Sequence, residues 1–349
     1  VTDDACDLSA IFKAHVPAGV RKLAIACSGG ADSLALLQIA HQAACVPLHV
    51  ISVDHGLRLA GQDEVAHVAA VAARLNLPFT PVHLHLVPQK TGQQAVAREA
   101  RHRALALAAR AAGCDAVALA HTADDQAETV WMRLASGATL DGFGAIPATA
   151  PAPVWPEGAG LTWLRPLLDQ RRSALRTYLQ TMGEVWVEDP SNTDPQYARV
   201  RARHLLAAMP DAVVQRLAQL GHLASGYDAL AWAATGALGD AAVHWDDPVT
   251  VNANVYATAA PLSRQRLLSA LSVCISGRAV APRRARAQAL DARLCRGDTQ
   301  ATLGGCRIVR RDDRITLMVE VGRQTAQIPT LAQAQARFLQ RVTLCKSAL

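Results

Sequence analysis

Lys22-Leu23-Ala24-Ile25-Ala26-Cys27-Ser28-Gly29-Gly30-Ala31-Asp32-Ser33 runs from a short apolar segment, through paired glycines, into a helical pattern over 33–44. That is the first half of a βα unit. The same alternation repeats downstream. Strands are expected at 47–53, 79–87 and 115–120, and helices at 62–75, 93–112 and 124–134. This order calls for an α/β fold, a Rossmann-like parallel sheet with helices on both faces. Ligands of such sheets sit beyond the carboxyl ends of the strands. Three turns fall there, at 28–33, 54–58 and 121–125.

Paired glycines let backbone approach a ligand closely, and the free N–H groups of a helix start attract phosphate. Ser28 and Ser33 add hydroxyl donors. The turn has neither the G-x-x-x-x-G-K-[ST] nor the G-x-G-x-x-G spacing, so the two commonest nucleotide loops are excluded. A plain turn capped by Asp32 and Ser33 uses the same letters. Asp125 and Glu128 stand at i, i+3 and project from one side of a first helical turn. Thr122-x-x-Asp125 is also a capping-box pattern, while a carboxylate pair suits a cationic amino acid. Arg98 and Arg101 share one helix face, solvated or phosphate-binding; Glu99 and Arg103 form an i, i+4 pair. His83 and His85 alternate on a strand with no third ligand in view, which favours packing over a metal.

The chain has 349 residues, 51% hydrophobic and 18% charged, with a mean hydropathy of +0.12. Wholesale disorder is excluded, and about 150 residues per domain suggests two domains, placed at 1–208 and 209–349. No apolar run is long enough to span a bilayer, and the opening residues give the expectation of no signal peptide. Eight scattered cysteines without a C-x-x-C read as reduced thiols of a cytoplasmic protein, Cys114 among them as a structural one. The net charge of +6 is unevenly divided: residues 1–189 carry −3 and residues 190–349 carry +9. The second half therefore looks like a surface for something anionic. Of the 35 basic residues 31 are Arg, which suits planar, bidentate recognition of phosphate but also follows from an Ala-rich composition, so the bias alone decides nothing. Pro147–Gly160, with four Pro and two Gly, is expected to be an irregular loop. An apolar segment at 161–168 and a helix at 171–182 follow. Helical pattern then runs over 196–238, 263–276 and 282–294, and β pattern over 301–319 with its turn at Arg311-Asp312-Asp313. The second domain is thus mainly helical with a C-terminal β hairpin. Arg199 and Arg203, with Arg201 and His204 beside them, share a helix face suited to a phosphate backbone or to solvent.

Ser28–Ser33 resembles the pyrophosphate-binding S-G-G-x-D-S loop of the PP-loop ATP pyrophosphatases. Five further segments follow in order: 53–58 (VDHGLR), 97–101 (AREAR), 120–129 (AHTADDQAET), 164–168 (LRPLL) and 188–192 (EDPSN). Together they resemble the tRNA(Ile)-lysidine synthetase family over about residues 20–205, with a weaker likeness at Leu303-Gly304-Gly305-Cys306. The resemblance implies ligation of L-lysine to the wobble cytidine of tRNA(Ile), through an adenylated cytidine, with release of AMP and pyrophosphate. It implies ATP binding by Ser28, Gly29, Gly30, Ala31, Asp32, Ser33, Asp54 and His55, and Mg²⁺ at Asp32. Asp32, Arg98 and Arg101 take catalytic places, Asp125 and Glu128 hold the lysine, and Arg199, Arg201 and Arg203 meet tRNA. Two departures stand out: Val200 replaces Asn in the family's R-N-R-I-R pattern, and Thr122 replaces a frequent His. Two rival readings keep the glycines. A tRNA thiolase would rely on cysteines, of which no pair stands near the strand ends, and a nucleotide-sensing RNA-binding protein would need neither Asp125 nor Glu128. Oligomeric state is not legible.

Overall fold

The computed structural model describes residues 7–54, 56, 60–84, 93–137, 145–188, 196, 198–278, 280–320 and 328–346. The chain forms two compact units, Val1–Ser225 and Gly226–Leu349. The sequence reading divides the domains near residue 208, whereas the units part inside a long helix.

The first unit opens with α1 (Leu8–His15), β1 (Leu23–Ala26) and α2 (Ala31–Ala43). β2 (Leu48–Asp54), α3 (Ala60–Arg74), β3 (Phe79–His83), α4 (Gln93–Ala111), β4 (Ala116–Ala118) and α5 (Ala123–Ala135) continue the alternation. β5 (Thr149–Pro151), β6 (Thr162–Leu164), α6 (Arg172–Thr181) and α7 (Ala198–Ala207) complete it, and α8 (Asp211–Ala242) leads out. The strand order is β3-β2-β1-β4-β6-β5, parallel except for the β5–β6 edge pair. Leu23 and Ile25 of β1 pack with α2, α3 and α6, while Ala24 and Ala26 face α4 and Trp163. Burial on both faces is why this strand reads as an uninterrupted apolar run. Strand order reverses at β1, so the crevice between the ends of β1 and β4 is the natural ligand position.

The second unit holds β7 (Val243–His244), β8 (Val249–Asn252), α9 (Ala253–Thr258), α10 (Pro261–Ser276) and α11 (Arg284–Arg296). β9 (Thr299–Leu303), β10 (Cys306–Arg311), β11 (Arg314–Val319) and α12 (Leu331–Lys346) follow. Its sheet is antiparallel, in the order β7-β8-β11-β10-β9, over a core that includes Leu267, Leu271, Ile308, Leu317 and Phe338.

Several expectations are corrected. The C-terminal β hairpin is part of a five-stranded sheet, because β7 and β8 are too short to announce themselves in sequence. Gly304 and Gly305, at φ +56° and +86°, make a second turn within 301–319. The Pro147–Gly160 segment is not wholly irregular: β5 pairs with β6, and Ala152 and Val154 are buried. The helical stretch 196–238 breaks into α7 and α8 at Pro210, which lacks the N–H a continuous helix needs. Among the described residues no helix is long and apolar enough to cross a membrane.

Candidate active site

β1 delivers the chain into the loop at 28–30. Gly29 has φ +85°, a left-handed conformation that costs other residues about 1–2 kcal/mol. Its carbonyl accepts from the Val187 N–H at 3.0 Å. Gly30 is the N-cap of α2 and offers no side chain to the helix's free N–H groups. The alternative of a turn capped by Asp32 and Ser33 is not what forms: with Gly30 as the N-cap, Ser33 Oγ donates to the Gly30 carbonyl at 2.9 Å and accepts from the Ser28 N–H at 3.1 Å. Ser33 thus closes the loop on itself, with Ser28 Oγ 3.3 Å away. The first turn of α2 keeps its donors for a ligand.

Asp32 points across the crevice. Its Oδ2 accepts from Arg172 Nε at 3.0 Å, while Oδ1 is buried with no partner. Burial raises its pKa, and Arg172 partly offsets the rise.

Thr122 and Asp125 form the expected capping box on α5. The Thr122 N–H donates to Asp125 Oδ2 at 2.8 Å, and the Asp125 N–H lies 3.4 Å from Thr122 Oγ1. Asp125 Oδ1 remains available and accepts from Arg172 Nη2 at 3.1 Å and Arg199 Nη2 at 2.9 Å. Glu128, 1% exposed, accepts at Oε2 from Arg199 Nε at 2.7 Å. At Oε1 it accepts from Arg203 Nε at 2.8 Å and from Arg172 Nη1 at 3.5 Å. Burial works to raise the Asp125 pKa, but Arg172 and Arg199 outweigh it and hold the carboxyl below its ordinary value. The solvent- or phosphate-facing surface expected of Arg199 and Arg203 is therefore not what α7 presents. Both side chains turn inward to the carboxylates, drawn by charges that only folding brings near. Arg201 donates to the Gln196 carbonyl at 2.9 Å from an exposed position.

Arg172 was not legible in the sequence as a site residue. Asp124 places it: Asp124 Oδ2 accepts from the Arg172 N–H at 2.7 Å and its carboxylate pairs with Arg171 at 3.2 Å, fixing the start of α6.

A second, electropositive group lies alongside. Arg98 and Arg101 come from α4, and no described carboxylate pairs with either. Burial lowers the pKa of both, helped by Arg199 at Arg98 and by Arg98 at Arg101. Arg165 is buried after β6; its Nη1 donates to the Pro147 carbonyl at 2.8 Å, its Nε has no partner, and burial with Arg98 lowers it to about 10. Burial first, then these arginines, push His102 down to about 4 and, with Arg165 foremost among them, His121 to about 3. Both rings are neutral at pH 7. His121 and Arg165 fall within the family-like motifs at 120–129 and 164–168, but no local pattern marks their role, because their burial beside arginines is a tertiary fact.

The histidines carry a stability consequence. An unfolded histidine binds its proton near pH 6.5, whereas the folded His102 binds it only near 4. The unfolded state then holds more protons, so stability is full above pH 6.5 and falls as pH drops toward 4. A urea midpoint lower at pH 5 than at pH 7 is expected, with a smaller drop in His102→Asn.

Asp54 serves its own turn. Oδ1 accepts from the Gly56 N–H at 2.9 Å, Oδ2 lies 3.5 Å from His83 Nδ1, and a Cβ on Gly61 would come within 2.2 Å of Oδ1. His55 and His85 lie outside the described residues. Among those described, no cluster of three or more His, Cys, Asp or Glu is arranged to hold a metal.

The PP-loop domain family matches residues 4–209, which span every site residue above. The tRNA(Ile)-lysidine synthase of Hyphomonas neptunium is 35% identical over 85% of this chain and 81% of its own length. That of Ruegeria pomeroyi is 37% identical over 97% of this chain and 80% of its own. That of Salinispora tropica is 38% identical over 84% and 89%. The chain belongs to the tRNA(Ile)-lysidine synthase family. Membership accounts for the order of motifs that the sequence displays, and the fold sets their turns around one crevice of a PP-loop domain. In this member of the family the 28–33 loop, the Asp125–Glu128 pair and the arginines of α6 and α7 form one continuous charged lining.

Proposed function

We propose that this chain ligates L-lysine to C2 of the wobble cytidine of tRNA(Ile), using ATP and forming an adenylated cytidine on the way. The observation that carries the reading is the convergence on Asp32 of an uncapped helix start and a buried carboxylate pair. Polyphosphate would lie over the 28–30 loop, with α2 N–H groups and the Ser28 hydroxyl as donors to its oxygens. Arg98 and Arg101, which no described carboxylate neutralises, would meet charge developing on the departing pyrophosphate. Attack of the cytidine O2 on the α-phosphorus expels pyrophosphate. The lysine ε-amine then attacks C2, the C2–O2 bond breaks, and AMP departs carrying the oxygen it had activated. Asp125 and Glu128 orient the lysine, so the amine itself is the nucleophile and the protein supplies position. Lysine must lose a proton before attack, and Asp125, held ionised, would keep the ammonium in place until then.

Mg²⁺ fits Asp32: its Oδ1 is buried and unpartnered, and Mg²⁺ combines one or two carboxylates with substrate phosphates. When bound it would neutralise polyphosphate charge. Cys27, the thiol nearest the loop, is 1% exposed with its pKa raised by burial, which disfavours a sulfur-transfer role. The cytoplasm, where thiols stay reduced, fits the free cysteines among the described residues.

Purified protein given ATP, labelled lysine and total tRNA tests the reading. Lysidine detected by mass spectrometry in tRNA(Ile) alone is expected; ATP turnover independent of lysine and tRNA overturns it. The +9 charge after residue 190 adds a second expectation: raising salt from about 50 to 200 mM should weaken tRNA binding more than tenfold. Charge-reversed Arg positions beyond 190 should flatten that slope.

A further inference from the structure

The carboxylate pair assigned to lysine is already occupied by arginines. Asp125 Oδ2 is spent on the α5 cap, and Asp125 Oδ1 accepts from both Arg172 and Arg199. Glu128 Oε1 takes Arg203 and Arg172, and Oε2 takes Arg199. With Asp32 included, three carboxylates face three guanidiniums in this cluster. A lysine ammonium entering this arrangement would be a fourth cation in a buried site without a matching charge, which is costly. One guanidinium has to leave first.

Arg172 is the one placed to do so. Its bond to Glu128, 3.5 Å, is the longest in the cluster, against 2.7 and 2.8 Å for Arg199 and Arg203. It alone reaches Asp32 on the 28–33 loop, 3.0 Å away, so a short swing carries it from the lysine pair to whatever anion lies on that loop. A planar guanidinium binds phosphate oxygens in a bidentate fork as readily as carboxylates. Its backbone stays fixed by Asp124, so only the side chain need move.

Resting on the lysine-ligating reading above, we propose that Arg172 is a charge-exchange residue. Without nucleotide it occupies the cation position between Asp125 and Glu128; when polyphosphate lies on the loop it transfers there and uncovers the pair for the lysine ammonium. Arg172 is then a positioning residue that couples the two substrates. ATP must load for lysine to bind well, and linkage requires lysine to tighten nucleotide by the same factor.

Equilibrium dialysis of the full chain with labelled L-lysine, with and without α,β-methylene-ATP and Mg²⁺, measures the coupling. In the wild type the analogue should tighten lysine binding at least tenfold, and lysine should tighten the analogue equally. In Arg172→Gln, lysine should bind without nucleotide at least tenfold better than in the wild type, and the coupling should fall below twofold. Equal lysine affinity with and without the analogue in the wild type overturns the exchange, as does an Arg172→Gln chain that keeps the wild-type coupling. Should that variant fail to fold, the presence or absence of coupling in the wild type decides alone. Lysidine formation assayed in parallel separates the two levels. A wild type that makes lysidine without coupling loses only the exchange. One that neither makes lysidine nor binds lysine with nucleotide present overturns the functional reading and the exchange together.

Discussion

Replacing Asp32 by alanine is expected to lower AMP and pyrophosphate formation at least a hundredfold while leaving tRNA affinity within about twofold. The asymmetry follows from position. Asp32 stands at the start of α2 with a buried, unpartnered Oδ1, whereas the basic surface expected to meet tRNA belongs to residues after 190. Removing one preorganised group from a site of charge development typically costs about two to three powers of ten in rate. Nucleotide products resolved by chromatography and tRNA binding measured on the same preparation check both halves. Unchanged turnover removes Asp32 from the reaction. Asn at this position is expected to be nearly as poor, since an amide keeps the shape and loses the charge.

Glu128→Gln should act on both stability and lysine use. Glu128 is buried and is the sole described carboxylate reached by all three of Arg172, Arg199 and Arg203. Breaking a buried ion pair by removing one partner costs about 3–5 kcal/mol, because the partner's charge is left without compensation. The arginines here keep some contact with water and Asp125 still serves two of them, so a loss of about 3 kcal/mol is expected, read from urea unfolding. The KM for lysine should rise at least tenfold while that for ATP moves much less. A variant with wild-type lysine KM would take Glu128 out of lysine binding and leave it as a structural anchor for α6 and α7. The analogous Asp125→Asn change is expected to combine the same lysine defect with loss of part of the α5 cap, since Asp125 Oδ2 serves Thr122.

How far the sequence reaches differs between elements. β1 and β4 are legible because burial on two faces leaves continuous apolar runs, and α5 because Thr122 and Asp125 announce its start within four residues. β7 and β8 were not, since two and four residues carry too little alternation to stand out. The Pro-rich segment before β6 suggested a loop, yet an edge strand tolerates proline on the side that needs no ladder bond. Among site residues, Ser28–Ser33, Asp125 and Glu128 could be named from spacing and family likeness. Arg199 and Arg203 read in sequence as a basic face, but their partners lie more than 70 positions away along the chain. No local pattern encodes such a pairing.

What the sequence by itself determined is the set of local devices: a strand–glycine–helix loop, a capped acidic helix start, and a chain whose charge changes sign near residue 190. Each depends on neighbours within a few residues, so spacing suffices to read it. What only the tertiary structure decided is how these charges are spent. Folding brings Arg172, Arg199 and Arg203 onto Asp32, Asp125 and Glu128, and it leaves Arg98, Arg101 and Arg165 grouped around two histidines kept neutral. Coulomb energy depends on distance in space and on burial, neither of which sequence separation records. The apparent lysine pair is for that reason also a set of arginine bonds that the lysine must displace.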